Sequence, residues 1–171
     1  EQKLMRSQMN PHFIFNALLS IRIYLQNSNV EDAMRYLNQF AKLIRSILTS
    51  SLEKEITLQE ELDTMQLYVN IENIRFCNEI QYAVHIDERV DLKAIKIPSL
   101  ILQPFIENAL WHGLQPKEGE KLLTLDVALK NDEFVTITIT DNGIGRKKTM
   151  EVASEKVNTQ KKSIGINLTL R

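Results

Sequence analysis

Asn10-Pro11-His12 is the first place in this chain where residue types and spacing could do chemistry. Proline inside a helix removes a hydrogen bond and clashes with the preceding turn, whereas at the first helical position it costs nothing. Asn10 then reads as an N-cap, Pro11 as the first helical residue and His12 as part of the first turn. There the positive end of the helix dipole disfavours imidazolium and favours a phosphate group. Neutral imidazole is the form that attacks phosphorus. Asn16 lies one turn further on the same face, where it could hydrogen-bond the ring. A kinked long helix is the other geometry, with the proline freeing backbone groups beside His12. Taken alone, His12 also reads as a polar residue at a helix bend.

A second cluster is Glu107-Asn108 with His112. Asn108 and His112 are four apart and share a helix face, in a stretch that is otherwise strongly apolar. Mg²⁺ bound with phosphates takes few protein ligands and keeps several waters, so one Asn carbonyl oxygen would suffice. Glu107 could orient a water or a neighbouring group. A buried Asn satisfied by backbone fits the same letters. The third cluster is Asp141-Asn142-Gly143-Ile144-Gly145, at the end of a strand-like run. A carboxylate there can accept a hydrogen bond from an amino group such as the exocyclic amine of adenine. Gly143 and Gly145 allow close backbone approach and positive φ. An ordinary Asp-Asn-Gly turn has the same composition. Gly165 is a second flexible point, and the lysine-rich segment from Arg146 to Ser163 could close over phosphates as a lid or remain a solvated loop.

These residues need elements to position them. Val30, Ala33, Met34, Leu37, Phe40, Ala41, Ile44, Ile47 and Leu48 recur at steps of three and four. They predict one apolar stripe on a helix that has Asn29 before it as N-cap. Thr57 and Glu60 form a T-x-x-E capping box, opening a helix through about Phe76. Residues 1–27 are helical in pattern but interrupted by Pro11. Ile80, Tyr82, Val84 and Ile86 alternate as in a half-buried strand. So do Leu123, Leu125, Val127 and Leu129, and then Val135, Ile137 and Ile139. Asn131-Asp132 suggests a hairpin between the last two. Ile97 to His112 is expected to be an apolar helix ending at Gly113. The fold class is α+β: a helical module over 1–77, then an α/β module over 78–171.

The chain has 171 residues, 43% hydrophobic and 25% charged, with a formal net charge of −1. That is enough apolar material for a packed core and excludes global disorder. It supplies no field to draw in DNA or an anionic membrane, so nucleic acid is not expected as a direct partner. The single cysteine, Cys77, cannot form an internal disulfide. No apolar run is long enough to cross a bilayer, and no signal peptide is expected in these residues. The chain opens on Glu1 and stops at Arg171, and reads as a piece of something longer, cytoplasmic itself, with any membrane anchor outside it. The apolar helical stripes exceed what a short hairpin buries, so the helical module is expected to pair with a second copy.

The order of the clusters carries a resemblance. Gln8 to Leu18 resembles the phospho-acceptor signature of LytS-like sensor histidine kinases, and Tyr68 to Phe76 looks like the end of the same histidine module. Ile106 to Ala109 with His112-Gly113 resembles the N box of GHKL-type ATP-binding domains. Asp141 to Gly145 resembles the first glycine box, and Ile164-Gly165-Ile166 a degraded second one. The resemblance implies a helical dimerisation and phospho-acceptor module followed by a GHKL-type α/β sandwich, incomplete at its C-terminal end. It implies ATP and Mg²⁺ as cofactors, His12 as the phosphorylated residue, Asn108 as the Mg²⁺ ligand and Asp141 as the adenine contact. Gly143, Gly145 and Gly165 would shape the pocket and lid. It also implies transfer of the phosphoryl group to an aspartate of a response regulator, a DNA-binding one in many relatives of this kind. Trp111 stands where a basic residue is expected, Ser163 where glycine is common, and Phe13 where another histidine-kinase class has an acidic residue. Rival readings are a degenerate, nucleotide-responsive dimeric scaffold without kinase activity, a GHKL-type ATPase with Glu107 positioning water, and a helical interaction module fused to a non-binding sandwich.

Overall fold

Thr57 and Glu60 do what their spacing predicts. In the computed structural model, which describes residues 11–26, 30–130, 134–145 and 166–170, the Thr57 hydroxyl accepts from the Glu60 N–H at 3.1 Å and the Glu60 carboxylate accepts from the Thr57 N–H at 2.7 Å. Two otherwise orphaned helix donors are thereby satisfied, an arrangement that stabilises by about 1 kcal/mol. The same bonds hold the Glu60 carboxyl below its ordinary value, the Thr57 side chain contributing most. Helix α3 runs from this box, Leu58–Asn73, and tightens into a 3₁₀ turn at Ile74–Phe76.

The chain divides into two compact units: residues 1–78 with 93–101, and residues 79–92 with 102–171. In the first unit, α1 (Pro11–Gln26) and α2 (Val30–Leu52) pack together, and α2 packs on α3. The stripe expected on α2 is split in two. Ala33, Phe40 and Ile47 are buried, joined by Tyr36 and Leu43, whereas Val30, Met34, Leu37 and Leu48 are exposed by 41–59%. The Tyr36 hydroxyl reaches the Ile71 carbonyl of α3 at 3.4 Å. Two short strands, β1 (Glu55–Thr57) and β3 (Lys96–Pro98), pair antiparallel in this unit. The expected helix from Ile97 is therefore corrected: Ile97 is a fully buried strand residue. Pro98 ends that strand, and helix begins only at Gln103, with Pro104 in its first turn, the position where proline fits. Leu100 adopts a left-handed φ of 59°, its N–H held by the buried carboxylate of Glu61 at 2.9 Å. An intact hydrogen bond is what lets a carboxylate sit in a core.

The second unit contains a four-stranded sheet in the order β2-β4-β5-β6, formed by Ile80–Ile86, Lys121–Lys130, Phe134–Asp141 and Ile166–Leu170. β2 and β4 are parallel, and the other neighbours antiparallel. The parallel pair needs a long crossover, and part of it is helix α4 (Gln103–Asn108), continued by a π turn at Ala109–Leu114. The expected alternation matches the pleat of β4 and β5, where Leu123, Leu125, Val127, Val135, Ile137 and Ile139 are buried and Leu129 is half-buried, whereas on β2 only Ile80 is buried, Tyr82 and Val84 are half-buried and Ile86 is exposed. The π turn packs against β4 and β5. The expected turn at Asn131-Asp132, the Asn29 cap and the segment from Arg146 to Ser163 lie outside the described residues. β6 adds a strand that the sequence pattern alone had not indicated.

Candidate functional site

Helix α4 starts with Pro104 in its first turn, where a missing N–H is no loss. Ile106 is fully buried, as are Leu110 and Leu114 beyond it. The polar residues take the other side. Asn108 and His112 are exposed and Glu107 is half-buried, its carboxylate accepting from Gln103 Nε2 at 2.8 Å. A buried Asn satisfied by backbone is thus excluded at position 108. The helix does not end at Gly113 as expected. It widens at Ala109 into π geometry, with the Gln115 N–H bonded to the Leu110 carbonyl five residues back at 2.8 Å. Such one-turn π segments are rare and recur at functional sites.

The reason for glycine at 113 is tertiary. A Cβ there would stand 2.6 Å from Asp141 Oδ1, and a Cβ at Gly143 would stand 2.3 Å from the Gly113 carbonyl carbon and oxygen. The Ile144 N–H donates to the Gly113 carbonyl at 3.1 Å. The two glycines let the π turn and the Asp141–Gly145 turn meet backbone to backbone. Of the two glycines expected to need positive φ, Gly145 does, at 76°, whereas Gly143 is not among the positive-φ glycines and serves the close approach.

Asp141 closes β5 and lies across Leu123 of β4. Its Oδ1 accepts from the Gly143 N–H at 2.9 Å. Burial pushes its carboxyl above the ordinary value, and the Gly143 bond opposes that shift without cancelling it. Asn142 makes three bonds to the start of β4. Its N–H donates to the Leu122 carbonyl at 3.2 Å, its Oδ1 accepts from the Leu122 N–H at 2.9 Å, and its Nδ2 donates to the Glu120 carbonyl at 3.1 Å.

Glu107, Asn108 and His112 are thus brought by Gly113 to the same end of one unit as Asp141, Gly143 and Gly145. His12 is in the first turn of α1, in the other unit, and Asn16 comes one turn later. The side chains of both, and all of Gly165, lie outside the described residues. Gly113 and Asn142 were missed as site residues because their roles are contacts across the fold. Among the described residues no group of three or more His, Cys, Asp or Glu could hold a metal ion. The arrangement offers the exposed amide of Asn108 and the half-buried carboxylates of Glu107 and Asp141 beside two closely packed glycine turns, a donor set suited to a nucleotide with a hydrated Mg²⁺.

Residues 1–80 match the family model described as histidine kinase. The sensor protein LytS of Oceanobacillus iheyensis is 32% identical over 167 residues, which is 97% of this chain and 28% of that protein. The sensor histidine kinase YpdA of Escherichia coli is 33% identical over 145 residues, covering 85% of this chain and 25% of that protein. The chain is a relative of the LytS-type sensor histidine kinases. It spans about a quarter of the length of these two. Among solved structures, the histidine kinase domain from the Erythrobacter litoralis EL346 blue-light activated histidine kinase is 16% identical, with a TM-score of 0.42 over 85% of this chain and 70% of that one.

Proposed function

We propose that this chain is the kinase part of a two-component sensor: it binds ATP with Mg²⁺ in the cleft beside Asp141 and phosphorylates His12. The observation that carries the reading is the backbone contact of Gly113 with Gly143. It draws two sequence-distant polar clusters into one cleft, and each cluster alone has an ordinary structural explanation.

Asp141 Oδ1 is engaged by Gly143, so Oδ2 is the oxygen that accepts from the adenine amine. Asn108 holds Mg²⁺, which when bound neutralises phosphate charge. His112 and Glu107 flank the phosphates, Glu107 orienting a polar group or water, and Gly145 and Gly165 shape the pocket and its lid. His12, neutral in the first turn of α1, attacks the γ-phosphorus in line, with Asn16 orienting the ring. An N–P bond forms as the bond to the ADP oxygen breaks. Catalysis of this kind is mostly positioning and charge neutralisation. The phosphoryl group then passes to an aspartate of a response regulator.

The exposed row Val30, Met34, Leu37 and Leu48 on α2, with Phe15, Leu18 and Leu19 exposed on α1, supports pairing with a second copy. Large apolar side chains in such a row gain by being covered. Among the described residues no helix is long and apolar enough to cross a membrane, and we assign the chain to the cytoplasmic side of a membrane sensor.

Titration with Mg²⁺ and a non-hydrolysable ATP analogue tests the site. Binding that is strongly but measurably weakened in Asp141→Asn and weakened in Asn108→Ala supports it. Binding unaffected by either substitution would overturn it.

A further inference from the structure

The Asn142 side chain does the work of a main chain. β5 pairs with β4 up to Asp141 opposite Leu123, so Asn142 would face Leu122 if the ladder continued. Its main-chain N–H still donates to the Leu122 carbonyl at 3.2 Å, but the acceptor for the Leu122 N–H is its carboxamide and not its own carbonyl. Oδ1 accepts from the Leu122 N–H at 2.9 Å and Nδ2 donates to the Glu120 carbonyl at 3.1 Å. Few side chains can donate and accept at once within that span. Aspartate at 142 keeps the acceptor and loses the donor, and alanine loses both. The residue lies directly between Asp141, whose carboxylate lies against Gly113, and Gly143, whose N–H holds Asp141 Oδ1 at 2.9 Å. The turn is therefore fixed on two sides, by Gly113 through Ile144 and by β4 through Asn142.

We propose that Asn142 is a positioning residue: its carboxamide, clamped to Glu120 and Leu122, sets the aim of the Asp141 carboxylate and thereby the preference for a 6-amino over a 6-oxo purine nucleotide. This deepens the reading of the site as a nucleotide cleft and rests on it. Directional hydrogen bonds discriminate only when the acceptor is held still, because a carboxylate free to swing meets either purine through water. Asn142 touches no nucleotide. It acts through Asp141.

The test measures dissociation constants for ATP and GTP with Mg²⁺ on the unsubstituted protein, Asn142→Ala, Asn142→Asp, Asp141→Asn and the double variant Asp141→Asn/Asn142→Ala. Amide hydrogen exchange at Leu122 and Gly143 is monitored in parallel. Asn142→Ala is expected to cut the ATP-over-GTP preference roughly tenfold, the scale of two lost hydrogen bonds. Asn142→Asp is expected to fall between, and the double variant to match Asp141→Asn alone. Exchange at Leu122 and Gly143 accelerates in Asn142→Ala. Equal weakening of both nucleotides with an unchanged ratio, or additive losses in the double variant, would show a merely structural role and overturn the proposal. Unchanged exchange in Asn142→Ala would overturn the clamp itself, whatever the nucleotides do. An unsubstituted protein with no preference for ATP would instead overturn the reading of the cleft, while the exchange data still judge the clamp.

Discussion

Replacing Gly143 by alanine should damage the cleft far more than one methyl group suggests. The added Cβ would lie 2.3 Å from the Gly113 carbonyl carbon and oxygen and 2.5 Å from its Cα, about 1.2 Å inside the ~3.5 Å separation that carbon atoms accept. All three obstructing atoms are backbone, so no side-chain rotation relieves the overlap. The two turns must part by about an ångström, and the 3.1 Å bond from the Ile144 N–H to the Gly113 carbonyl breaks. Overpacking of this kind costs ~1–3 kcal/mol and the lost hydrogen bond ~0.5–1.5 kcal/mol, together roughly 2–4 kcal/mol. The control is Gly119→Ala. Gly119 has a φ of 80° and nothing within 4 Å, so its substitution costs only the ~1–2 kcal/mol of a left-handed non-glycine residue. Trp111, the one tryptophan in the chain, sits in the π turn and reports unfolding of this unit by fluorescence in urea. Gly143→Ala should lower the midpoint further than Gly119→Ala and abolish ATP binding, while Gly119→Ala retains it. A Gly143→Ala protein that binds ATP normally would refute the backbone contact as the joint of the site.

Other consequences rest on single groups. Asp141 is held above its ordinary carboxylate value by burial; a raised folded-state value favours the protonated form, so its ionisation opposes folding once pH rises through that value. Asp141→Asn should therefore leave the unliganded protein as stable or more stable at neutral pH while weakening adenine binding, checked by thermal unfolding with and without ATP. For Glu60 the sign is reversed, since Thr57 lowers its carboxyl from 4.5. Its contribution is present above the unfolded value and fades as pH falls through the lower folded one. Thr57→Ala should cost about 1 kcal/mol at pH 7 and flatten the acid limb of the stability curve. Leu37→Glu with Leu48→Glu places charge on the exposed face of α2 and should raise the dimer dissociation constant at least about a hundredfold, measured by light scattering on dilution. A wild-type protein that is already monomeric at all concentrations contradicts the pairing.

How much of this could be read from the letters differs from residue to residue. Thr57 and Glu60 were legible because capping is local, a matter of residues three apart. The strands at 80–86, 121–130 and 134–141 were legible because one face is buried and period two survives in the sequence. Helix α2 was legible as a helix, but its apolar positions did not reveal that one row packs inside and another faces out, since both rows are apolar. The segment at 96–98 misled because Ile97 is buried by a non-local pairing with Ile56, and apolar periodicity alone does not separate a short buried strand from a helix. Glu61 holding the left-handed Leu100 left no sequence signature. At the site, Asn108 and Asp141 stood out by type and context. Gly113 and Asn142 did not, because what they do is meet Gly143 and Leu122, residues twenty or more positions away.

The central claim is that His12 receives the γ-phosphoryl group of ATP. Its most direct test is incubation of the protein with γ-labelled ATP and Mg²⁺ beside His12→Gln and Asn108→Ala. An acid-labile, base-stable label on the unsubstituted chain, absent from His12→Gln and strongly reduced in Asn108→Ala, is the predicted result. ATP binding without any label, or a label that persists in His12→Gln, would contradict it.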